Sequence, residues 1–160
     1  MKGIKTTIAA AAALLAAGAA QAEPVKVGMI TTLSGGGAGL GIDARDGFML
    51  AVKQANNPDL EVVIEDDQRK PDVAVQLADK MIQQEKVDVL TGIIWSNLAM
   101  AVVPSAVAQD KIYMSVNAAP SQLAGRGCNK NYFSVSYQND NLHEAAGGYA
   151  SSAGYEKAFI

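Results

Sequence analysis

The chain has 160 residues, 49% apolar and 18% charged, with a formal net charge of −3. Its 16 acidic residues outnumber 13 basic ones, and no basic run is longer than Arg69-Lys70, which excludes nucleic acid and anionic membrane surfaces as partners. The single cysteine, Cys128, has no partner for an internal disulfide and is expected as a small packed residue, so stability must come from a hydrophobic core.

Residues 1–22 read as a secretory signal peptide. Lys2 and Lys5 precede an apolar run from Ile8 to Ala20, and Ala20-Gln21-Ala22 forms a small-residue cleavage site. The run is shorter than the ~20 apolar residues that a membrane-spanning helix needs. Cleavage after Ala22 leaves 138 residues starting at Glu23; taking Lys2 and Lys5 from the 13 basic residues leaves 11 against 16 acidic ones. Glu23 is not a cysteine, so the leader carries no lipid-anchor signal. A soluble periplasmic protein without direct membrane insertion is expected, folded around one ordinary domain core.

The first predicted strand is Val25 to Thr32, stopped by the glycine cluster Ser34 to Gly41. A helix follows from Ile42, with Ala44, Phe48, Ala51, Val52 and Ala55 on one face, Asp43 and Asp46 against its dipole, and Asn56-Asn57-Pro58 at its end. Leu60 to Glu65 is the second strand. Pro71 then opens a helix whose stripe is Ala74, Leu77, Ala78, Met81 and Ile82, ending near Glu85. Val87 to Ile94 is the third strand, apolar enough to be buried on both faces. Ser96-Asn97 is placed to cap the next helix, Leu98 to Ala108, which Pro104 should kink. Ile112 to Val116 is the fourth strand, Ala119 to Asn131 a loop without period, Tyr132 to Tyr137 a fifth apolar stretch, and Leu142 to Ala153 a last helix.

Strands alternating with helices through short connections predict an α/β fold, a parallel sheet flanked by helices. The chain closes on Ala158-Phe159-Ile160, which reads as the opening of another strand, so the sequence is expected to be the N-terminal part of a longer protein. Its organisation is then a first lobe over residues 23–118, a crossover loop over 119–131, and the start of a second lobe over 132–160.

Ligands of such sheets bind beyond the carboxyl ends of the strands. Four segments qualify: Leu33 to Gly41, Asp66 to Lys70, Trp95-Ser96-Asn97, and Asn117-Ala118-Ala119. Ser96 brings a hydroxyl to a helix start whose free N–H groups favour an anion, and Trp95 adds a flat apolar face, so a carboxylate is the natural occupant. The competing reading is that Ser96 caps its helix and Trp95 packs in the core.

Other chemistry is thin. Gly39-Leu40-Gly41-Ile42-Asp43-Ala44 fits a relaxed dinucleotide pattern with Asp66 downstream, the basis for a secreted NAD-dependent oxidoreductase as an alternative. Thr31 to Ala38 nonetheless separate those glycines from the strand. His143 is the only histidine and is expected on the surface of the last helix. Glu65-Asp66-Asp67 reads as a solvated strand end rather than a cation site. No catalytic triad or Cys/His metal spacing occurs, so no enzyme activity, cofactor or metal is expected.

The segments VKVGMITTLSGGGAGLGIDARDGFMLAV, VDVLTGIIWSNLAMAVVPSA and YMSVNAAPSQLAG resemble the first lobe of a periplasmic solute-binding protein of the branched-chain amino acid ABC transporter type. The resemblance implies the type I periplasmic binding protein fold: two lobes on a hinge, closing on a small solute delivered to ABC transporter permease subunits. A ligand-sensing protein of the same fold is the alternative. By the resemblance, Ser96 and the backbone around Asn117 and Ala118 hold the solute's carboxylate. Trp95, Leu40 and Gly41 line the same wall, and Tyr137 and Gln138 lie near the crossing into the second lobe. Where amino-acid binders of this kind commonly place a threonine hydroxyl, this chain has Ala119, which tilts the expectation toward other carboxylates, aromatic acids among them. A monomer is expected.

Overall fold

The computed structural model describes residues 23–157 and 159; the leader and its cut after Ala22 lie outside the described residues. Five strands, β1 (Val25–Thr31), β2 (Leu60–Asp66), β3 (Val89–Thr91), β4 (Ile112–Ser115) and β5 (Tyr132–Ser134), form one sheet in the order β2-β1-β3-β4-β5. Every adjacent pair is parallel. The helices are α1 (Ala38–Ala55), α2 (Pro71–Gln83), α3 (Ser96–Ala108), α4 (Ser121–Ala124) and α5 (Asn139–Ser152). The α/β expectation holds, with a topological switch between β1 and β3.

Alternation along each strand sorts side chains to the two faces. Register aligns Val63, Gly28, Leu90, Tyr113 and Tyr132 in one row across the sheet. That face packs on α2 and α3, where Ala74, Ala78, Met81, Leu98, Ala99, Val102 and Val103 complete the core. A Cβ at Gly28 would lie 2.7 Å from the Met81 sulfur, so the bare glycine lets α2 seat closely on β1.

Five local expectations need correction. Helix α1 starts at Ala38, not Ile42, because Gly37 adopts a φ of 89° and turns the chain into it; its first turn holds no acidic residue, so Asp43 and Asp46 lie beyond the dipole's reach. Strand β3 stops at Thr91 because Gly92 has a φ of 103°, and a Cβ there would sit 2.7 Å from the Ile30 carbonyl oxygen. The loop after Ala119 contains the single turn α4. Tyr132–Ser134, expected to open a second lobe, is the fifth strand of the same sheet, paired with β4. Pro104 lies inside α3, where it withholds one helical hydrogen bond. Cys128 is exposed in the loop after α4 rather than packed.

Candidate functional site

The carboxyl ends of β1, β3 and β4 place three of the predicted segments side by side. Trp95 spans the topological switch: it sits in the turn after β3, yet its indole N–H donates to the Thr32 hydroxyl just past β1, at 3.0 Å. Thr32 in turn donates to Asp67 Oδ1 at 2.7 Å, and the same oxygen accepts the Arg69 backbone N–H at 2.8 Å. Both Thr32 and Asp67 are fully buried, so Asp67 is a structural acceptor and not the solvated strand end the sequence suggests.

The turn after β2 then aims a cation at the indole. Gln68 and Arg69 take successive left-handed φ values of 52° and 57°, uncommon for residues with a Cβ, and their N–H groups are secured by Asp66 and Asp67. The Arg69 guanidinium lies 3.9 Å from the Trp95 ring centroid and donates to the Gly36 carbonyl at 3.3 Å. Trp95 also packs against the core, so the exposed Arg69 covers the ring from the solvent side. The glycine loop closes on the indole edge, because Gly37 approaches Trp95 more tightly than any Cβ would allow. Burial pushes the Asp66 carboxyl up, but hydrogen bonds from the Ser34 hydroxyl and the Leu33 and Gln68 backbone outweigh it and hold it below the usual carboxylate range.

Ser96 does not cap α3. Trp95 is the cap residue, no side chain caps the helix, and Ser96 is the first helical residue. Its Oγ accepts a hydrogen bond from Asn139 Nδ2 at 2.9 Å. The free N–H groups of the first turn of α3 remain beside it. The Asn117 amide donates to the Ile94 carbonyl at 2.9 Å, tying the ends of β3 and β4 together. The Ala118 carbonyl accepts from the Ser115 hydroxyl and from the Tyr132 hydroxyl, and the Ala119 carbonyl accepts the Asn139 N–H at 3.0 Å. Those carbonyls are thus occupied, while the N–H groups of Ala118 and Ala119 have no acceptor among the described residues, although both residues are buried.

Trp95, Ser96, Asn117, Ala118 and Ala119 therefore share one edge of the sheet. Leu40 is exposed on α1, whereas Gly41 is buried against the Thr32 backbone with no room for a Cβ; its place is a close helix–strand contact. Tyr137 is exposed after β5, and Gln138 lines a small recess of about 60 Å³ with Ala119, Pro120 and Tyr132. His143 borders a wider, open recess of about 340 Å³ next to Ser96, Asn97, Ser121 and Asn139. Sequence reasoning missed Thr32 and Asn139, and it held Asp67 and Arg69 only as part of the loop Asp66 to Lys70, with no role for either. A basic pair signalled only charge, and Asn139 touches Ser96 across 43 residues, a separation no local pattern reports.

The dinucleotide pattern does not survive the geometry. Gly39 and Gly41 lie inside α1, and the Asp66 carboxylate is engaged by its own loop, so neither serves a pyrophosphate or a ribose. Among the described residues no three His, Cys, Asp or Glu side chains cluster to hold a metal ion, and no helix is long and apolar enough to cross a membrane.

Residues 24–160 match the periplasmic binding protein family. The chain belongs to that family. A solute-binding protein of an ABC transporter from R. palustris, solved in complex with benzoate, is 32% identical with a TM-score of 0.78 over 82% of this chain and 38% of its own. Another, from Rhodopseudomonas palustris BisB5 in complex with 3,4-dihydroxybenzoic acid, is 25% identical with a TM-score of 0.75, over 82% and 37%. An ABC transporter substrate-binding protein from Sphaerobacter thermophilus is 29% identical with a TM-score of 0.72, over 81% and 37%. The chain thus spans under two fifths of the length of these structures. Among curated protein sequences, none matches it. The matched structures are substrate-binding proteins of ABC transporters.

Proposed function

We propose that the chain contributes the first lobe, and the start of the second, of the substrate-binding component of an ABC importer. The sheet of that lobe ends at Ser134, and the crossing runs through Val135 to Gln138. The solute is a small carboxylate, an aromatic acid in preference to an α-amino acid, held in the cleft between lobes and passed to the permease subunits. One observation carries the reading: Asn139 ties the Ser96 hydroxyl, at the first turn of α3, to Ala119 at the end of the neighbouring strand, where the N–H groups of Ala118 and Ala119 have no acceptor among the described residues. Such donors suit a carboxylate. Ala119 supports the aromatic preference because it offers no hydroxyl for an amino group. The benzoate and dihydroxybenzoate held by two relatives point the same way. The protein acts as a periplasmic monomer after removal of residues 1–22.

Trp95 is the only tryptophan, so its fluorescence reports on the site directly. In the mature protein with both lobes, benzoate and 4-hydroxybenzoate should each produce a saturable change, and isoleucine should bind more weakly. Ser96→Ala should weaken benzoate about 10- to 150-fold, the range of one hydrogen bond to a charged group. A dissociation constant within twofold of the parent would place the carboxylate elsewhere.

A further inference from the structure

Asn139 is bonded to both halves of the proposed carboxylate site. Its backbone N–H holds the Ala119 carbonyl at 3.0 Å, and its side-chain Nδ2 donates to Ser96 Oγ at 2.9 Å. A serine hydroxyl has one proton to donate and can accept through its lone pairs. When Asn139 donates to that oxygen, the hydroxyl proton points away from Asn139 and is left for another acceptor. Among the described residues no acceptor takes that proton.

We propose that Asn139 is a positioning residue that sets the polarity of Ser96, keeping its hydroxyl a donor toward the solute and thereby selecting a carboxylate over its neutral amide. The inference rests on the carboxylate reading of Ser96 given above. It also gives α5 a direct stake in occupancy, because Asn139 is the first residue of that helix and α5 buries none of its own residues. Whatever α5 moves with is tied to the solute through one side chain.

Asn139→Asp tests it with nearly unchanged shape. An ionised Asp only accepts, so the Ser96 proton turns toward residue 139 and the hydroxyl meets the solute with its lone pairs. Benzoate and benzamide serve as probes, followed by Trp95 fluorescence in the mature protein with both lobes, with thermal unfolding of every variant as a check on folding. Asn139→Asp should weaken benzoate about 10- to 150-fold while benzamide binds within about threefold of the parent or tighter. Asn139→Ala, which adds no charge, should lose a smaller part of the benzoate preference. Simple repulsion by the new carboxylate is separated in the Ser96→Ala background. Repulsion persists there, whereas the polarity effect vanishes, so most of the Asn139→Asp penalty should disappear. An equal penalty with and without Ser96, or equal losses for benzoate and benzamide, overturns the positioning role. If Ser96→Ala alone leaves benzoate unchanged, the carboxylate reading itself has failed.

Discussion

The two faces of the sheet are built from similar strand residues but end in different states. On the α2/α3 face, Leu90, Tyr113, Met81, Leu98 and Val103 are fully buried in a continuous core. On the α1 face, the row Ile64, Met29, Thr91, Met114 and Phe133 begins buried and ends in the open. Met29 is 0% exposed, but Met114 is 43% and Phe133 50%. Helix α1 packs on β1 and itself shows Leu40 and Leu50 to solvent, at 53% and 55%. A parallel sheet is stable when both faces are covered. The closed face therefore supplies the platform for the site, whereas the far half of the other face leaves Met114 and Phe133 exposed. Trp95 leans on the closed side, so this edge of the sheet is anchored in the core although half of the other face is bare.

The sharpest way to break this contrast is to truncate one residue on each face. Leu90→Ala should cost about 2–5 kcal/mol by urea unfolding of residues 23–160, as a core cavity does. Met114→Ala in the same chain should cost about 0.5 kcal/mol or less. In a longer chain that covers the open face, the Met114 penalty should climb toward that of Leu90; equal small penalties in both would show that face to be solvent-facing by design.

Gly92→Ala probes the join between the closed face and the site. Its φ of 103° and the nearby Ile30 carbonyl leave a Cβ no comfortable place, so a loss of about 1–3 kcal/mol and a displaced Trp95 emission are expected. A variant as stable as the parent would mean that the β3 turn relaxes freely.

Arg69→Ala should matter less. An exposed cation over an indole contributes about 0.5–1 kcal/mol, so stability should fall by that order while Trp95 emission shifts to longer wavelength as its outer face meets water. Unchanged emission would mean that the closed face and Gly37 alone shield the ring.

The smallest effect is the pH dependence carried by Asp66. Its carboxyl is held below the usual range, so it contributes stability above the unfolded-state value near 3.9, and that contribution is lost as the pH falls through the lower folded value. Asp66→Asn should therefore lower stability at neutral pH and lose its deficit in acid. A deficit that stays constant with pH would assign it to geometry rather than charge.

What the sequence determined by itself was whatever repeats at short range. The strand–helix alternation, the stripe Ala74, Ala78, Met81 and Ile82, and the ends of strands where ligand loops collect were all legible from period and punctuation. So was the grouping of Trp95, Ser96 and Asn117 to Ala119, because parallel strands carry their carboxyl ends to one edge. Only the tertiary structure decided what those groups do there. Ser96 looked like a cap because a serine before an apolar run usually is one; the turn after Gly92 instead made Trp95 the cap and released the hydroxyl to Asn139. Asp67 looked solvated because two acidic neighbours precede it, yet Thr32 and Arg69 draw it inside. Tyr132 to Ser134 looked like the start of a new lobe because a loop precedes it, while pairing with β4 makes it the edge of the first sheet. In each case the deciding partner lies far along the chain, and hydrogen bonds between distant segments leave no period in the sequence for a reader to find.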